Sequence, residues 1–297
     1  MTGLYLALLA IASYFVGNAN WAIIISGAQK KDIRKMGSGN PGTLNMSRNL
    51  GLKFGLLTFF LDIMKGVVPT LVAYFVFRGQ KFEGTEFLIS DLAIYLCGFC
   101  AVMGHIYPVV YKFKGGKGIA TTIGVMIVCE SVHGFGWASV IIMALVAAVI
   151  WIYFTEFGAM GSFIAITPPA ISGSIRLILD YKDYDDVKTV VFRVITSVLI
   201  LAICFFTWFA HRKNIERMLA GEEHPTSIKE MVVKAKAKKL AQKKAEEERL
   251  KAEKVGGKSP LTNDGKGYEN SSNDKAESKA KTENKAETAN KPPIIHR

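Results

Sequence analysis

Two short stretches rich in glycine and polar side chains hold the residues best suited to chemistry in this chain. The first is Gly37-Ser-Gly-Asn-Pro-Gly-Thr-Leu-Asn45, with Arg48 three residues on; the second is Lys112-Phe-Lys-Gly-Gly-Lys-Gly-Ile-Ala-Thr121. Glycine and asparagine accept positive φ, so backbone N–H groups can converge on an anion. In the first stretch Gly37, Gly39 and Gly42 supply that freedom. Ser38, Asn40 and Asn45 add neutral hydrogen-bonding groups, and Arg48 offers a fork matched to phosphate. An ordinary turn needs only two or three such residues, and the density here favours an anion site. In the second stretch Gly115, Gly116, Lys117 and Gly118 lead into an apolar run containing Thr121. That puts amides and an ammonium at a helix N-terminus, a natural anion site. Taken alone, a flexible basic loop explains these residues equally well. They do not form a Walker A loop: position 111 is Tyr, and Gly118 stands where that loop needs Ser or Thr.

A third group is His211-Arg-Lys-Asn214-Ile-Glu-Arg217, followed by Gly221-Glu-Glu223. His211 and Asn214 share a helix face at i,i+3, and histidine is the side chain best suited to proton transfer near neutral pH. A basic stop-transfer cluster accounts for Arg212, Lys213 and Arg217, but less well for His211 and Asn214. Within the apolar runs, Asp62 and Lys65 lie one helical turn apart. Ionisable groups in lipid are costly, so this pair is expected to neutralise itself in a supporting or structural role. His105, in Gly104-His-Ile-Tyr-Pro108, either faces the site or caps a helix. Cys97, Cys100, Cys129 and Cys204 read as small buried hydrophobes, with no disulfide framework and no metal site. A Gly-x-Ser-x-Gly elbow, a His-Glu-x-x-His zinc motif and a dinucleotide-binding glycine turn are all missing.

The elements that must position these residues are membrane helices. Half of the 297 residues are hydrophobic and mean hydropathy is +0.23, but the apolar residues gather before position 210. Runs of about 20 apolar residues match the bilayer's hydrocarbon core, where only helices satisfy their own backbones. Seven spans are expected, roughly Leu4–Ile25, Phe54–Phe77, Leu88–Tyr107, Ile119–Val132, Phe135–Phe154, Met160–Leu179 and Val187–Phe209; the fourth is short. The first has no basic leader or small-residue cleavage site and is expected to be retained. Lys and Arg concentrate in the first and third loops, which predicts that these and the C-terminus face the cytoplasm, with the N-terminus outside.

From Arg212 to the end there are 21 Lys and Arg against 14 Asp and Glu, a net +7 of the chain's +12. Three regions follow: a membrane-embedded domain over 1–223, a charged helix-forming segment over 224–254, and a low-complexity tail over 255–297. The tail reads as a solvated appendage, with attraction to anionic lipid as the sharper alternative. Few aromatic residues and mixed charge argue against nucleic-acid binding.

Together these motifs closely resemble the bacterial acyl-phosphate:glycerol-3-phosphate acyltransferase family. The residues that carry the resemblance are Gly37-Ser-Gly-Asn-x-Gly-x-x-Asn45 with Arg48, then Asp62-x-x-Lys-Gly66. Gly104-His-x-x-Pro108 follows, running into Phe113-Lys-Gly-Gly-Lys-Gly-x-Ala-Thr121, and last His211-x-x-Asn-Ile-x-Arg217 with Gly221-x-Glu223. Order and spacing match over roughly residues 1–223. The resemblance implies an all-α bacterial cell-membrane enzyme that needs no cofactor. It implies acyl transfer from acyl phosphate to the sn-1 hydroxyl of glycerol 3-phosphate, giving lysophosphatidic acid and phosphate at the cytoplasmic face. Ser38, Arg48, Lys117, His211 and Asn214 would be catalytic. Gly37, Gly39, Asn40, Gly42, Asn45, Gly115, Gly116, Gly118, Thr121, Arg217 and Glu223 would bind substrate, backed by Asp62, Lys65 and His105. Where the family usually has Gly-Ala-Thr-Asn, this chain has Gly42-Thr-Leu-Asn45; either a hydrogen bond is lost at Leu44 or Thr43 supplies it. Two rivals from other classes are a transporter of a phosphorylated solute, though no inverted repeat is evident, and a non-catalytic membrane scaffold.

Overall fold

In the computed structural model, residues 1–184, 186–222 and 228–256 are described. Among them the secondary structure is helical, apart from one isolated bridge between Lys81 and Leu88. The chain divides into two compact units, Met1–Lys243 and Lys244–Arg297. The first contains α1 (Thr2–Asn18), α2 (Trp21–Ala28), α3 (Thr43–Leu50), α4 (Leu52–Phe77), α5 (Ile89–Ile106), α6 (Ile119–Ser131), α7 (Phe135–Thr155), α8 (Gly158–Asp180), α9 (Val187–Ala210) and α10 (Arg212–Leu219). A further helix, α11 (Ile228–Gly256), covers the stretch for which the charged composition predicts one, and its last residues are the described part of the second unit. Glu223 and the tail from 257 on lie outside the described residues.

Six segments are long and apolar enough to cross a membrane: Thr2–Ala28, Leu52–Phe77, Ile89–Tyr111, Phe135–Thr155, Gly158–Asp180 and Val187–Ala210. The remaining expected span, α6, has 13 residues. The protein is a multi-pass membrane protein. Outward-facing residues such as Met143 and Val149 on α7, and Val198, Leu201 and Phe205 on α9, are exposed and apolar, as a lipid-facing surface requires. The first span differs from its expected form. It breaks at Ala19–Asn20, where Asn20 turns extended and its side chain accepts from the Ile23 N–H to cap α2.

α5 and α6 form the interior. Their Tyr95, Val102, Val125, Met126 and Cys129 pack with Leu177 of α8 and Ile200 and Ile203 of α9. The four cysteines are free. Close helix approach depends on glycine: a Cβ on Gly66 would lie 2.2 Å from the Thr121 carbonyl, and one on Gly124 2.2 Å from that of Ile63. These reciprocal contacts join α4 to α6 backbone against backbone, as small residues do in membranes.

At the end away from the glycine loops lies a polar cluster that sequence reading did not single out. The Tyr181 hydroxyl donates to Asp91 Oδ2 at 2.7 Å. His133 Nε2 stands 3.2 Å from Asp91 Oδ1, and Arg176 Nη2 3.7 Å from it. Arg176 is fully buried and donates to Asp180 at 2.8 Å. Nearby, Ser172 donates to Glu130 at 3.0 Å. Together these groups tie α5, α6 and α8 at one end of the bundle.

Candidate functional site

The first glycine loop is organised by Asn45. Its Nδ2 donates to the carbonyls of Ile33 (3.2 Å) and Met36 (2.9 Å), while its Oδ1 accepts from the Ser38 N–H (3.2 Å) and Asn49 Nδ2 (2.9 Å). Gly37 and Gly39 take left-handed φ of 53° and 70°, and a Cβ on Gly37 would strike the Asn45 and Asn49 amides. Ser38 and Arg48 are exposed, Asn40 is half-buried, and Leu44 is 39% exposed. The loop then enters α3 at Gly42 without a side-chain cap, leaving that N-terminus open to an anion.

The second loop hooks onto the end of α5. Gly115 N–H donates to the Ile106 carbonyl and Gly116 N–H to that of His105. A Cβ on Gly115 would come 2.0 Å from the His105 oxygen, and one on Gly116 2.2 Å from its Nε2. Lys112 and Phe113, both non-glycine, sit at φ 54° and 60°, a costly conformation that surrounding bonds must hold. Gly118 is left-handed (φ 86°) and starts α6, again with no side-chain cap. The amides of Gly39, Gly42 and Gly116 donate to the carbonyls of Met36, Asn40 and His105. Their glycines serve close packing and turn geometry, and the N-termini of α3 and α6 carry no side-chain cap.

Lys117 precedes α6 and reaches the last group. Its Nζ donates to Asn214 Oδ1 at 2.5 Å. His211, one residue beyond α9, is buried, with its Nδ1 2.8 Å from the Thr207 carbonyl. A carbonyl only accepts, so Nδ1 carries the proton and Nε2 keeps its lone pair. Burial, then the nearby Lys117 charge, push the His211 pKa down to about 4, so the ring is neutral at pH 7. The Phe163 ring packs edge-on against it, centroids 5.5 Å apart. Thr121 is fully buried, its backbone pressed against Gly66, whereas its neighbour Thr122 meets Thr207, hydroxyl to hydroxyl, at 3.1 Å. Sequence reading noted Thr122 beside Thr121 but gave a binding role to Thr121 alone, and did not single out Thr207; only the helix phase distinguishes Thr122 from Thr121.

Behind the second loop, Asp62 and Lys65 form a buried ion pair at 2.9 Å. Lys65 also donates to the Ala19 carbonyl at 2.9 Å, so the pair supports the break between α1 and α2. Buried His105 has its Nδ1 3.8 Å from Asp62 and its carbonyl under Gly116. The three residues thus join into one support beneath Lys117. Arg217 is half-buried in α10, and its carbonyl accepts from the Glu222 N–H. Among the described residues no group of three or more His, Cys, Asp or Glu could hold a metal ion.

Comparison with known proteins bears on this site. The model of one protein family, described as glycerol-3-phosphate acyltransferase, matches residues 7–221. A glycerol-3-phosphate acyltransferase of Finegoldia magna is 35% identical over 75% of this chain and 97% of its own length. Its namesake in Aquifex aeolicus is 32% identical over 73% and 96%. The crystal structure of PlsY (YgiH), an integral membrane glycerol 3-phosphate acyltransferase in its glycerol 3-phosphate form, superposes with a TM-score of 0.60 at 29% identity, covering 77% of this chain and 98% of that one. The form of that enzyme with lysophosphatidic acid gives 0.58 at 28% identity, covering 77% and 99%.

Proposed function

The chain belongs to the glycerol-3-phosphate acyltransferase family, and from that footing we propose that it moves a fatty acyl group from acyl phosphate to the sn-1 hydroxyl of glycerol 3-phosphate. The products are lysophosphatidic acid and inorganic phosphate. The donor is a mixed anhydride, already activated, so the protein's task is to orient two anionic substrates and to stabilise charge building on the carbonyl and the leaving phosphate. Lys117 at the α6 N-terminus, joined to Asn214 and beside His211, is the observation that carries this reading. An ammonium at a helix N-terminus and a neutral imidazole within its electrostatic reach come together there.

In the proposed reaction Lys117 and the α6 N-terminus hold one phosphate, and Ser38, Arg48 and the α3 N-terminus the other. Asn40 and Arg217 add contacts at the rim. Glu223 is kept as a substrate-binding residue on the sequence motif alone. Asn214 and His211 orient the attacking hydroxyl. With a pKa of about 4 in the free protein, His211 is a weak base until substrate arrives. A phosphate on Lys117 offsets the charge that depresses it and so raises its basicity. The hydroxyl proton then passes either to Nε2 or to a substrate phosphate. Asp62, Lys65 and His105 keep the second loop in place.

The proposal extends to topology: seven spans counting α6, the N-terminus outside, and the glycine loops and His211 on the cytoplasmic face of the bacterial cell membrane, where glycerol 3-phosphate is dissolved. The Lys-rich segment after the last span would lie along anionic lipid. One assay tests the reaction. Purified protein with acyl phosphate and radiolabelled glycerol 3-phosphate is expected to yield labelled lysophosphatidic acid. Label crossing liposomes without product would favour a transporter, and neither outcome would leave a scaffold. A His211→Ala variant that loses only a few-fold in rate, with unchanged pH dependence, would exclude His211 as the base.

A further inference from the structure

Thr122 and Thr207 stand outside the glycine loops and outside every motif singled out above. Both are fully buried, with their hydroxyl oxygens 3.1 Å apart. Thr207 has a single hydroxyl hydrogen, and its Oγ1 lies 2.7 Å from the Ile203 carbonyl, which can only accept. That hydrogen is spent, so Thr122 is the donor across the α6–α9 seam. The carbonyl of the same Thr207 accepts from His211 Nδ1 at 2.8 Å. Thr122 and the His211 ring are therefore both fastened to one residue of α9. This link lies inside the Lys117–Asn214 bond, five residues on from Lys117 and seven before Asn214. The outer bond is made by a flexible lysine that substrate phosphate would recruit; the inner one is made by short, β-branched side chains with few rotamers.

We propose that Thr122 is a positioning residue for acyl transfer. It fixes the depth and rotation of the α9 end against α6, so that His211 Nε2 meets the substrate bound over Lys117. This role rests on the acyltransferase reading above. Misplacing a reacting group by an ångström can cost about 10²-fold in rate, and one neutral hydrogen bond can hold part of that.

The test compares Thr122→Val, which keeps the volume but removes the donor, with Thr122→Ser, which keeps the donor. Each is made alone and with His211→Ala in the full-length protein. The valine variant is expected to lower kcat about ten-fold with both KM values within about two-fold, serine to restore it, and valine to add nothing in the His211→Ala background. The His211 Nδ1 proton, followed by nitrogen-edited NMR in micelles, is expected to exchange about ten-fold faster in the valine variant. Wild-type kcat and exchange in Thr122→Val would overturn the proposal. So would strictly additive effects with His211→Ala, since those belong to a general loss of stability. A wild-type protein that makes no lysophosphatidic acid would instead bring down the acyltransferase reading, and Thr122's catalytic role with it.

Discussion

His211 is the residue whose chemistry depends most on its surroundings. Its tautomer is set by the Thr207 carbonyl, and its pKa is held near 4 by burial and by Lys117. In the substrate-free protein its ring resonances are expected to stay flat between pH 7.5 and 5.5, whereas an unperturbed histidine titrates near about 6.5. A midpoint above 6 would contradict the geometry. The same depression has a stability consequence. Unfolded His211 takes up a proton near about 6.5 and the folded one only near 4, so acid favours the unfolded chain through that window. The contribution is complete above the upper value and is lost as pH falls toward the lower. Gly116 makes a second test at this scale. A methyl there meets His105 Nε2 at 2.2 Å, so Gly116→Ala is expected to displace the second loop and cut kcat/KM at least about 10²-fold. Membrane insertion should persist, checked by detergent-solubilised yield.

Among the elements, α8 carries the clearest prediction. Arg176 is fully buried between Asp91 and Asp180, and removing one partner of a buried pair leaves an uncompensated charge. Arg176→Met is expected to destabilise the fold by about 3 kcal/mol, read as a lower Tm in detergent, while kcat per folded molecule stays unchanged. The same element explains what the sequence hid. Hydropathy located every long span because apolar length alone decides that signal. The far cluster draws Asp91, Glu130, His133 and Arg176 from different elements with no shared spacing, so each reads as an ordinary polar residue near a span end. The break at Ala19–Asn20 was equally invisible: neither residue is a strong helix breaker, and the carbonyl it frees is met by Lys65, 46 residues away. The glycine loops, by contrast, were legible from composition. Their amide partners were not, since those depend on where the α5 end lies.

For the whole molecule, the family match ends at residue 221, and Ser38, Arg48, Lys117, His211 and Asn214, the residues proposed as catalytic, precede it. Deleting residues 257–297 is therefore expected to leave kcat and both KM values within about two-fold, since no residue given a role in the proposed reaction lies there. A loss of activity would assign the tail a direct role. Inside the bundle, α4 and α6 do not start together. Ile63 and Gly66 of α4, well past its first residue Leu52, lie against Gly124 and Thr121 near the start of α6, so α6 begins beside the middle of α4 and not beside its first residue. On the proposed topology Lys117, at the start of α6, would stand deeper than the first residue of α4, toward the acyl chains. A fatty tail can stay in the hydrocarbon while its activated carbonyl is presented from beneath, and each methylene left there avoids about 0.8 kcal/mol of extraction. In the proposed reaction the water-soluble glycerol 3-phosphate would then come to the lipid-held donor rather than the reverse.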